Sequence, residues 1–331
     1  MTDKKYYIIS KTYDVQGLGA IMSCEASHIL YAFDNNYIPV VDMKNYYNQY
    51  FKDNRNFKDN VWEYYFEQPT EYNLENIEPD AEIIISENSF FADDKHKLTC
   101  KDLPINSFNA KYKYVDNLKN RYKECFKLNK ETQKYIENEV SKYIKNDDVV
   151  IGVLARGTDY LKRKTKGEHI QPQPRVIINK LKHFLKKHKE ITKIYLATED
   201  DEIYQTFKKE FKDMVIDNNQ YRYKYTDNQK YLCELNANRE NHKYTLGLEY
   251  LSSLYILSRC QYFIGGRCAG TKIAWILSEG WKDTYIWDLG IYGKNNFQRK
   301  LFCLNNEYDR DTDQKIKNIT LFGITIKFRI G

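Results

Sequence analysis

The sequence contains no apolar stretch long enough for a membrane span or a signal peptide. A helix that crosses a bilayer needs about 20 apolar residues, and residues 1–5 lead directly into a strand-like segment at 6–10. The seven cysteines are scattered and include no Cys-x-x-Cys pair, which argues against a disulfide framework and against a zinc site. We therefore expect a cytoplasmic protein without a structural metal.

The chain also lacks a strong excess of one charge. Its formal net charge is +6, from 52 Lys and Arg residues and 46 Asp and Glu residues, and this balance requires no polyanionic partner. Lysine-rich runs lie at 162–166 and 180–189, and solvated faces are their simplest explanation. The alternatives are a phosphate-bearing ligand and peripheral contact with the cytoplasmic membrane surface. The runs match no nucleic-acid recognition motif, so we expect no nucleic-acid partner.

The chain does contain a regular alternation of strand and helix patterns. Its 331 residues are enough for two domains. In the second half, apolar runs predict strands at 149–154, 193–197, 214–216, 262–264 and 284–287. Helical patterns separate these runs, and such an alternation predicts βαβ units and a parallel sheet. The fold class is therefore α/β.

The same patterns predict two Rossmann-like domains that face each other across a cleft. The first half has strand patterns at 6–10, 38–41 and 82–85 before a charged segment at 145–148. We place the boundary there, with an N-terminal domain at 1–146 and a C-terminal domain at 147–290. Residues 291–331 are expected to form a tail that packs back on the N-terminal domain. Ligands of open α/β sheets bind at the carboxyl ends of the strands, so candidate residues are sought there.

The first candidate motif, Arg156-Gly157-Thr158-Asp159, directly follows the strand predicted at 149–154. An arginine at the carboxyl end of a strand can present two parallel donors to a phosphate. Asp159 can hold that arginine or close the turn. The alternative is an Arg–Asp pair that only braces a loop.

Two acidic residues, Glu199 and Asp200, follow the next predicted strand. Their carboxylates can accept hydrogen bonds from a ribose or a base. They can equally serve at the N-terminus of the helix predicted at 201–211, where the macrodipole favours negative charge. The sequence leaves both explanations open.

A turn rich in small residues joins the strand at 262–264 to a predicted helix. Small residues allow close approach of the backbone to a ligand, and N–H groups at a helix start attract anions. An arginine within the turn supports phosphate binding, although the pattern follows neither the Walker nor the dinucleotide Gly-x-Gly-x-x-Gly spacing. The candidate residues are Gly266, Arg267, Cys268, Ala269, Gly270 and Thr271.

A general base is sought among the acidic residues and histidines near these motifs. Glu168 and His169 lie in the lysine-rich loop after Asp159, and Asp14 lies close to Gly17. An ordinary exposed histidine is the simpler explanation of His169. We take Glu168 as the leading candidate.

Two further motifs have simpler structural explanations. Gln171-Pro172-Gln173-Pro174 most simply starts the helix predicted at 173–189, because proline is tolerated in a first turn. The Asp-x-Asp patterns at 309–313 follow no buried strand pattern, so we interpret them as a solvated loop. No metal site is predicted.

Three segments resemble the motifs of one fucosyltransferase superfamily. Residues 156–159, 194–200 and 257–264 occur in the order and approximate spacing seen in the rhizobial nodulation fucosyltransferase, the core α1,6-fucosyltransferases and the protein O-fucosyltransferases. That superfamily has His-x-Arg-Arg-x-Asp, then Tyr-Leu-Ala-Thr-Asp-Asp, then a helix ending in Leu-Ser before a strand and a serine-rich turn. The resemblance covers roughly residues 148–280, and Gly17-Leu18-Gly19 looks like the acceptor-side loop of the superfamily.

The resemblance implies a GT-B fold and inverting transfer from GDP-fucose without a metal or another cofactor. It implies that Arg156 binds the β-phosphate and that the turn at 266–271 receives the diphosphate. It also places Asp14, Gly17 and Gly19 on the acceptor side. The catalytic candidates are Arg156, Asp159 and Glu168.

The chain departs from the superfamily pattern at three positions. Leu154 stands where the superfamily has His, Gly157 replaces the second Arg, and Ser253 occupies the position of an aspartate that recognises guanine. Glu249 lies one helical turn before Ser253 and can reach the same place, because residues i and i+4 share a helix face. The donor-binding candidates outside the turn are Arg156, Thr158, Glu199, Asp200, Glu249 and Ser253.

The sequence thus predicts a fucosyltransferase-like enzyme with a GDP-sugar donor and a glycan or glycolipid acceptor. A role in bacterial surface-polysaccharide biosynthesis is suggested by residues 319–326, which look like tails of enzymes from such loci. Two alternatives stay open. One is a glycosyltransferase with another nucleotide-sugar donor, and the other is a nucleotide- or sugar-binding protein that has lost catalysis.

Overall fold

The computed structural model describes residues 4–11, 16–53, 59–104, 112–224, 235, 237–293, 302–309, 314–321 and 324–330. The chain divides into two compact units. The first unit comprises Met1–Tyr143, Cys233–Ser258 and Lys272–Glu279. The second comprises Ile144–Leu232, Arg259–Thr271 and Gly280–Gly331. The domain bounds and the packing of the tail given above stay predictions.

The first unit is built on a parallel sheet of three strands, β1 (Lys5–Ser10), β2 (Ile38–Asp42) and β3 (Glu82–Ile85), in the order β2-β1-β3. Helix α1 (Leu18–Asp34) joins β1 to β2 and is buried along most of its length. Helices α2 (Tyr112–Glu124), α3 (Lys130–Tyr143), most of α7 (His242–Arg259) and most of α8 (Ala269–Leu277) also belong to this unit.

The second unit is built on a parallel sheet of four strands. They are β4 (Val150–Leu154), β5 (Lys193–Ala197), β6 (Tyr262–Gly266) and β7 (Asp283–Trp287), in the order β5-β4-β6-β7. Every residue of β4 is buried, as expected of an uninterrupted apolar run in a strand that is covered on both faces. These strands and their parallel pairing confirm the predicted α/β class.

Helices cover this sheet because their apolar residues recur with the helical period. Helix α4 (Thr158–Arg163) follows β4, and α5 (Pro174–Lys187) opens with proline in its first turn. Helix α6 (Asp201–Phe211) follows β5. Helix α8 (Ala269–Leu277) follows β6, and only its first three residues belong to this unit. Helix α5 buries Ile177, Leu181 and Phe184, positions that share one face of a helix.

The strand order creates a point at which the chain changes direction across the sheet. From β4 the chain runs outward to β5, and it then returns to β6 on the other side of β4. Loops that leave such a switch point diverge, so a crevice forms at the carboxyl ends of the two strands. Here the switch point lies between β4 and β6.

The structure corrects one sequence-based expectation and adds a sheet that the sequence did not predict. The strand predicted at 214–216 is absent: Lys212–Met214 forms a 3₁₀ helix, and Val215 makes a single bridge to Ile194. The C-terminal segment contains an antiparallel sheet with the order β10-β9-β8, formed by β8 (Phe302–Asp309), β9 (Gln314–Leu321) and β10 (Ile324–Ile330). Asp309 therefore ends a strand, whereas residues 310–313 of the Asp-x-Asp patterns lie outside the described residues.

Two structural absences apply to the part of the chain that is described. None of its helices is long and apolar enough to cross a bilayer. No three His, Cys, Asp or Glu side chains within it are grouped so that they could hold a metal ion. The expected independence of a metal stays a prediction.

Candidate functional site

The switch point brings two predicted motifs to the same edge of the second unit's sheet. Strands β4 and β6 are paired so that Leu154 lies opposite Gly265. Arg156 and Arg267 each stand two residues further along, so they leave the sheet at neighbouring positions. Local sequence decides this placement, because both strands are buried apolar runs that stop where polar and small residues begin.

The guanidinium of Arg156 is held by a carboxylate from the neighbouring strand. Its Nη1 atom lies 3.4 Å from Glu199 Oε2, and the side chain is 18% exposed. The guanidinium also lies over the ring of Tyr160, 4.3 Å from the centroid. The carboxylate of Glu199 accepts the N–H of Gly157 at 3.2 Å and the hydroxyl of Thr158 at 3.3 Å. Glu199 thus braces the loop after β4; the side chain of Asp159 lies outside the described residues.

Asp200 joins the same loop to the start of α6. Its Oδ1 accepts the N–H of Ile203 at 3.1 Å and caps the helix, and its Oδ2 accepts the N–H of Thr158 at 2.9 Å. Thr158 has a left-handed backbone, with φ of 46°. A Cβ added to Gly157 would lie 2.5 Å from Asp200 Cβ. Asp200 therefore explains why glycine stands where the superfamily has a second arginine.

The turn between β6 and α8 is closed by Thr271. Its hydroxyl donates to the carbonyl of Gly266 at 2.6 Å, and its N–H lies 3.5 Å from Cys268 Sγ. Helix α8 begins at Ala269, so its positive end lies at the carboxyl end of β6. An anion near Gly270 would meet this end of the helix dipole.

Arg267 is also braced by an acidic side chain. Its Nη1 lies 3.0 Å from Asp288 Oδ2, and its side chain is 14% exposed. Its backbone N–H donates to the carbonyl of Trp287 at 3.2 Å. Arg267 Nε is buried and has no hydrogen-bond partner among the described residues. Two arginines, each oriented by a carboxylate, therefore stand at the switch point.

The loop of the candidate base lies beside the segment that follows β7. Backbone hydrogen bonds of 2.9 Å join Gly167 and Glu168 to Tyr292, and the N–H of Ile170 donates to Gly290 at 3.0 Å. These bonds fix the backbone of the loop in the second unit.

Gln171 is a site residue that the sequence did not identify. Its Nε2 donates to the carbonyl of Arg267 at 2.7 Å, so it reaches the β6–α8 turn from the loop of Glu168. The available signal was the Gln-Pro repeat, in which prolines fix the backbone on both sides of a glutamine. That signal indicates a rigid segment but does not identify its partner.

The remaining predicted residues lie in the first unit. Glu249 forms a bidentate pair with Arg239, at 2.6 and 2.9 Å, and Ser253 is buried on the same helix. Gly17 precedes α1 and Gly19 lies in its first turn. Asp14 lies outside the described residues. Their predicted donor-binding and acceptor-side roles stay predictions.

A groove of about 930 Å³ opens elsewhere in the second unit. It lies among α4, α5 and α6, and its lining includes Thr158 and Asp200. These two side chains reach it from the β5 side of β4, whereas the β6–α8 turn lies on the opposite side. The groove therefore shares Thr158 with the loop that follows β4.

No protein-family model matches the chain, and no curated protein matches its sequence. Among solved structures, the chain is similar to fucosyltransferase NodZ from Bradyrhizobium, with 16% identity, a TM-score of 0.46, and coverage of 83% of this chain and 94% of that chain. It is similar to a variant of Arabidopsis thaliana FUT1 in complex with GDP, with 11% identity, a TM-score of 0.47, and coverage of 85% and 70%. For POFUT1 in complex with GDP the identity is 11%, the TM-score 0.45, and the coverage 86% and 99%. These proteins are fucosyltransferases, the superfamily that the motifs of this chain resemble.

Proposed function

We propose that this chain is a glycosyltransferase that takes a sugar, with fucose favoured, from a GDP-sugar and transfers it to a glycan or glycolipid acceptor. One observation carries the proposal: Arg156 and Arg267 leave neighbouring strands at the switch point, beside the N-terminus of α8. Two guanidinium groups and a helix N-terminus at one edge form an arrangement that suits a diphosphate.

The reaction needs stabilisation of the negative charge that develops on the leaving diphosphate. Arg156 and Arg267 supply positive charge, and the first turn of α8 supplies the positive end of a helix dipole. Glu199 and Asp288 hold the two guanidinium groups in place before any ligand binds. Such preorganisation lowers the barrier because the groups need not reorient during the reaction.

The acceptor must lose a proton as it attacks. In the proposed inverting reaction, an acceptor hydroxyl oxygen bonds to the anomeric carbon, the bond from that carbon to the diphosphate oxygen breaks, and a general base receives the hydroxyl proton. Glu168 is the proposed base, and its loop backbone is fixed by the hydrogen bonds to Tyr292. His169 and Asp14 are the other candidates.

The identity of the donor base and sugar rests on the motif resemblance. In the structure Glu199 and Asp200 bind groups of their own unit, and Glu249 pairs with Arg239. Guanine recognition by any of them would need a ligand to share or displace these contacts. The cleft between two Rossmann-like domains, the independence of a metal and a role in bacterial polysaccharide synthesis also belong to the proposal.

Nucleotide binding tests the proposal directly. We expect GDP at millimolar concentration to raise the melting temperature of the wild type, and UDP to raise it less. In crystals soaked with GDP, density for the diphosphate should appear between Arg156 and the turn at 266–271. No shift with GDP together with an empty switch point would contradict the proposal.

Two positions at which the chain departs from the superfamily pattern, Leu154 and Ser253, favour a different nucleotide-sugar donor. Parallel hydrolysis assays with GDP-fucose, GDP-mannose and UDP-sugars distinguish this candidate from the first. Release of nucleotide from any of these donors would exclude a binding protein without catalysis.

A further inference from the structure

The side chain of Gln171 ties the loop of the candidate base to the β6–α8 turn. Its Nε2 donates to the carbonyl of Arg267 at 2.7 Å and to the carbonyl of His169 at 3.1 Å. The residue is 1% exposed, and a Cβ added to Gly266 would lie 2.2 Å from Gln171 Oε1. The amide therefore fills the space that a side chain at Gly266 would need.

Each of the two joined segments has anchors of its own. The turn is held by the hydrogen bond from Thr271 to Gly266 at 2.6 Å. The base loop, which we define as residues 165–170, is held by backbone hydrogen bonds to residues 290–292. Loss of the Gln171 amide would leave both segments attached to their own anchors. It would remove a direct link between them.

Gln171 is buried, where an apolar residue would be expected. We attribute the polar side chain at this position to the hydrogen bonds that its Nε2 donates. Oε1 is buried without a hydrogen-bond partner among the described residues. A buried polar atom without a partner destabilises the folded state. An apolar side chain of similar size would avoid this cost if the position served packing alone.

We propose that Gln171 is a positioning residue for sugar transfer, which sets the place of Glu168 relative to the diphosphate-binding turn. This inference rests on the proposed function. Gln171 acts through the segments that carry the base and the donor-binding groups, and it contacts no reacting atom itself. A displacement of about 1 Å between catalytic groups can lower a rate about 100-fold, so its loss should affect kcat more than donor binding.

The Gln-Pro repeat provides a matched control. Gln171→Glu preserves the shape of the side chain and removes the Nε2 donor, and Gln171→Met removes the donor without adding charge. Gln173→Glu makes the same change two residues further on, at a position whose side chain makes no capping hydrogen bond to α5. The measurements are kcat and KM for release of GDP from GDP-fucose with water as acceptor, Kd for GDP by calorimetry, and the melting temperature.

We expect both Gln171 variants to lower kcat about tenfold or more and to change the Kd for GDP by less than about threefold. The Gln173 variant should change either value by no more than about twofold. If Gln171→Glu melts at a lower temperature than the wild type, Gln171→Met decides the outcome. A kcat close to that of the wild type, or an equal loss in kcat and GDP affinity, overturns the inference. A wild type that neither binds GDP nor hydrolyses GDP-fucose overturns the proposed function as well.

Discussion

Buried polar groups differ in their hydrogen bonding between the carboxyl edges of the two parallel sheets. We call these edges the first edge and the second edge, after the unit to which each belongs. In the second unit, Glu199 and Asp200 accept hydrogen bonds from the loop after β4. In the first unit, Lys11 directly follows β1 and Glu25 lies on α1, with 3% and 0% exposure. Lys11 Nζ and both carboxyl oxygens of Glu25 have no hydrogen-bond partner among the described residues.

This difference has an electrostatic consequence. Burial raises the pKa of Glu25 well above its usual range, and the nearby charge of Lys11 opposes the rise only in part. Burial also lowers the pKa of Lys11. Paired groups at the second edge are held in place by their partners, whereas the unpaired groups at the first edge reduce stability.

The largest expected effect tests whether the second edge binds the donor. Arg156→Ala should lower kcat/KM for GDP-fucose hydrolysis by about 10²–10³, because it removes a preorganised charge from the proposed diphosphate site. Steady-state release of GDP measures this loss. Arg163→Ala removes a guanidinium from the end of α4 and should leave kcat/KM nearly unchanged; equal losses in the two variants would contradict the assignment.

The second prediction concerns the unpaired groups of the first edge. The double variant Lys11→Met, Glu25→Leu should raise the free energy of unfolding by about 1–4 kcal/mol, because well-packed apolar residues replace poorly compensated buried charges. Glu25 has a raised pKa in the folded state, so its destabilising effect grows as pH rises above about 4.3, the usual value for Glu, because the unfolded chain releases its proton first. The gain should therefore be larger at pH 8 than at pH 5.

Urea unfolding of the wild type and the double variant at both pH values measures this gain. The exposed ion pair of Lys5 and Glu82 provides the control, since its replacement by Met and Gln should change stability by no more than about 1 kcal/mol. A double variant less stable than the wild type at both pH values would show that Lys11 and Glu25 stabilise the fold.

The third prediction tests how closely the second edge is packed. Gly157→Ala should lower the free energy of unfolding by about 1–3 kcal/mol, because the new Cβ would lie 2.5 Å from Asp200. Gly17→Ala, where an added Cβ meets no atom within 4 Å, serves as the control. Thermal and urea unfolding measure the stability of both variants. Equal stability of the two would mean that the loop after β4 can shift to accommodate the added methyl group.

The smallest expected effect concerns the helix cap at the second edge. Asp200→Ala removes the acceptor for the N–H groups of Ile203 and Thr158 and should cost about 1 kcal/mol. Asp200→Asn retains a side-chain oxygen that can cap the helix, so it should cost less. Urea unfolding of both variants tests this order, and the reverse order would indicate that the charge of Asp200 matters more than the cap.

Much of the sheet at the candidate site was predictable because its signals are local. β4 and β5 are apolar runs between polar segments, and such runs bounded by helical patterns have few alternatives to buried strands. The wrong prediction of a strand at 214–216 shows where the apolar pattern becomes too short to identify a strand. Its apolar residues are few, and the chain there forms a 3₁₀ helix and one bridge to Ile194.

The partners of the site residues were not predictable in the same way. Asp159, close in sequence, was one candidate to hold Arg156, and its side chain lies outside the described residues. The described contact is with Glu199 at the end of the neighbouring strand. Glu25 lies on α1 between Ile21 and Ile29, both fully buried. An isolated acidic residue in a helical pattern gives no sequence signal that it is buried without a partner.

The sequence by itself determined the strands of the two parallel sheets, most of the helices and the arrival of Arg156 and Arg267 at strand ends, because these depend on the order of apolar and polar residues within short segments. Only the tertiary structure decided that Glu199 holds Arg156, that Asp200 excludes a side chain at Gly157, and that Gln171 reaches the β6–α8 turn. These contacts join segments far apart in the chain, and strand order and packing determine which segments meet.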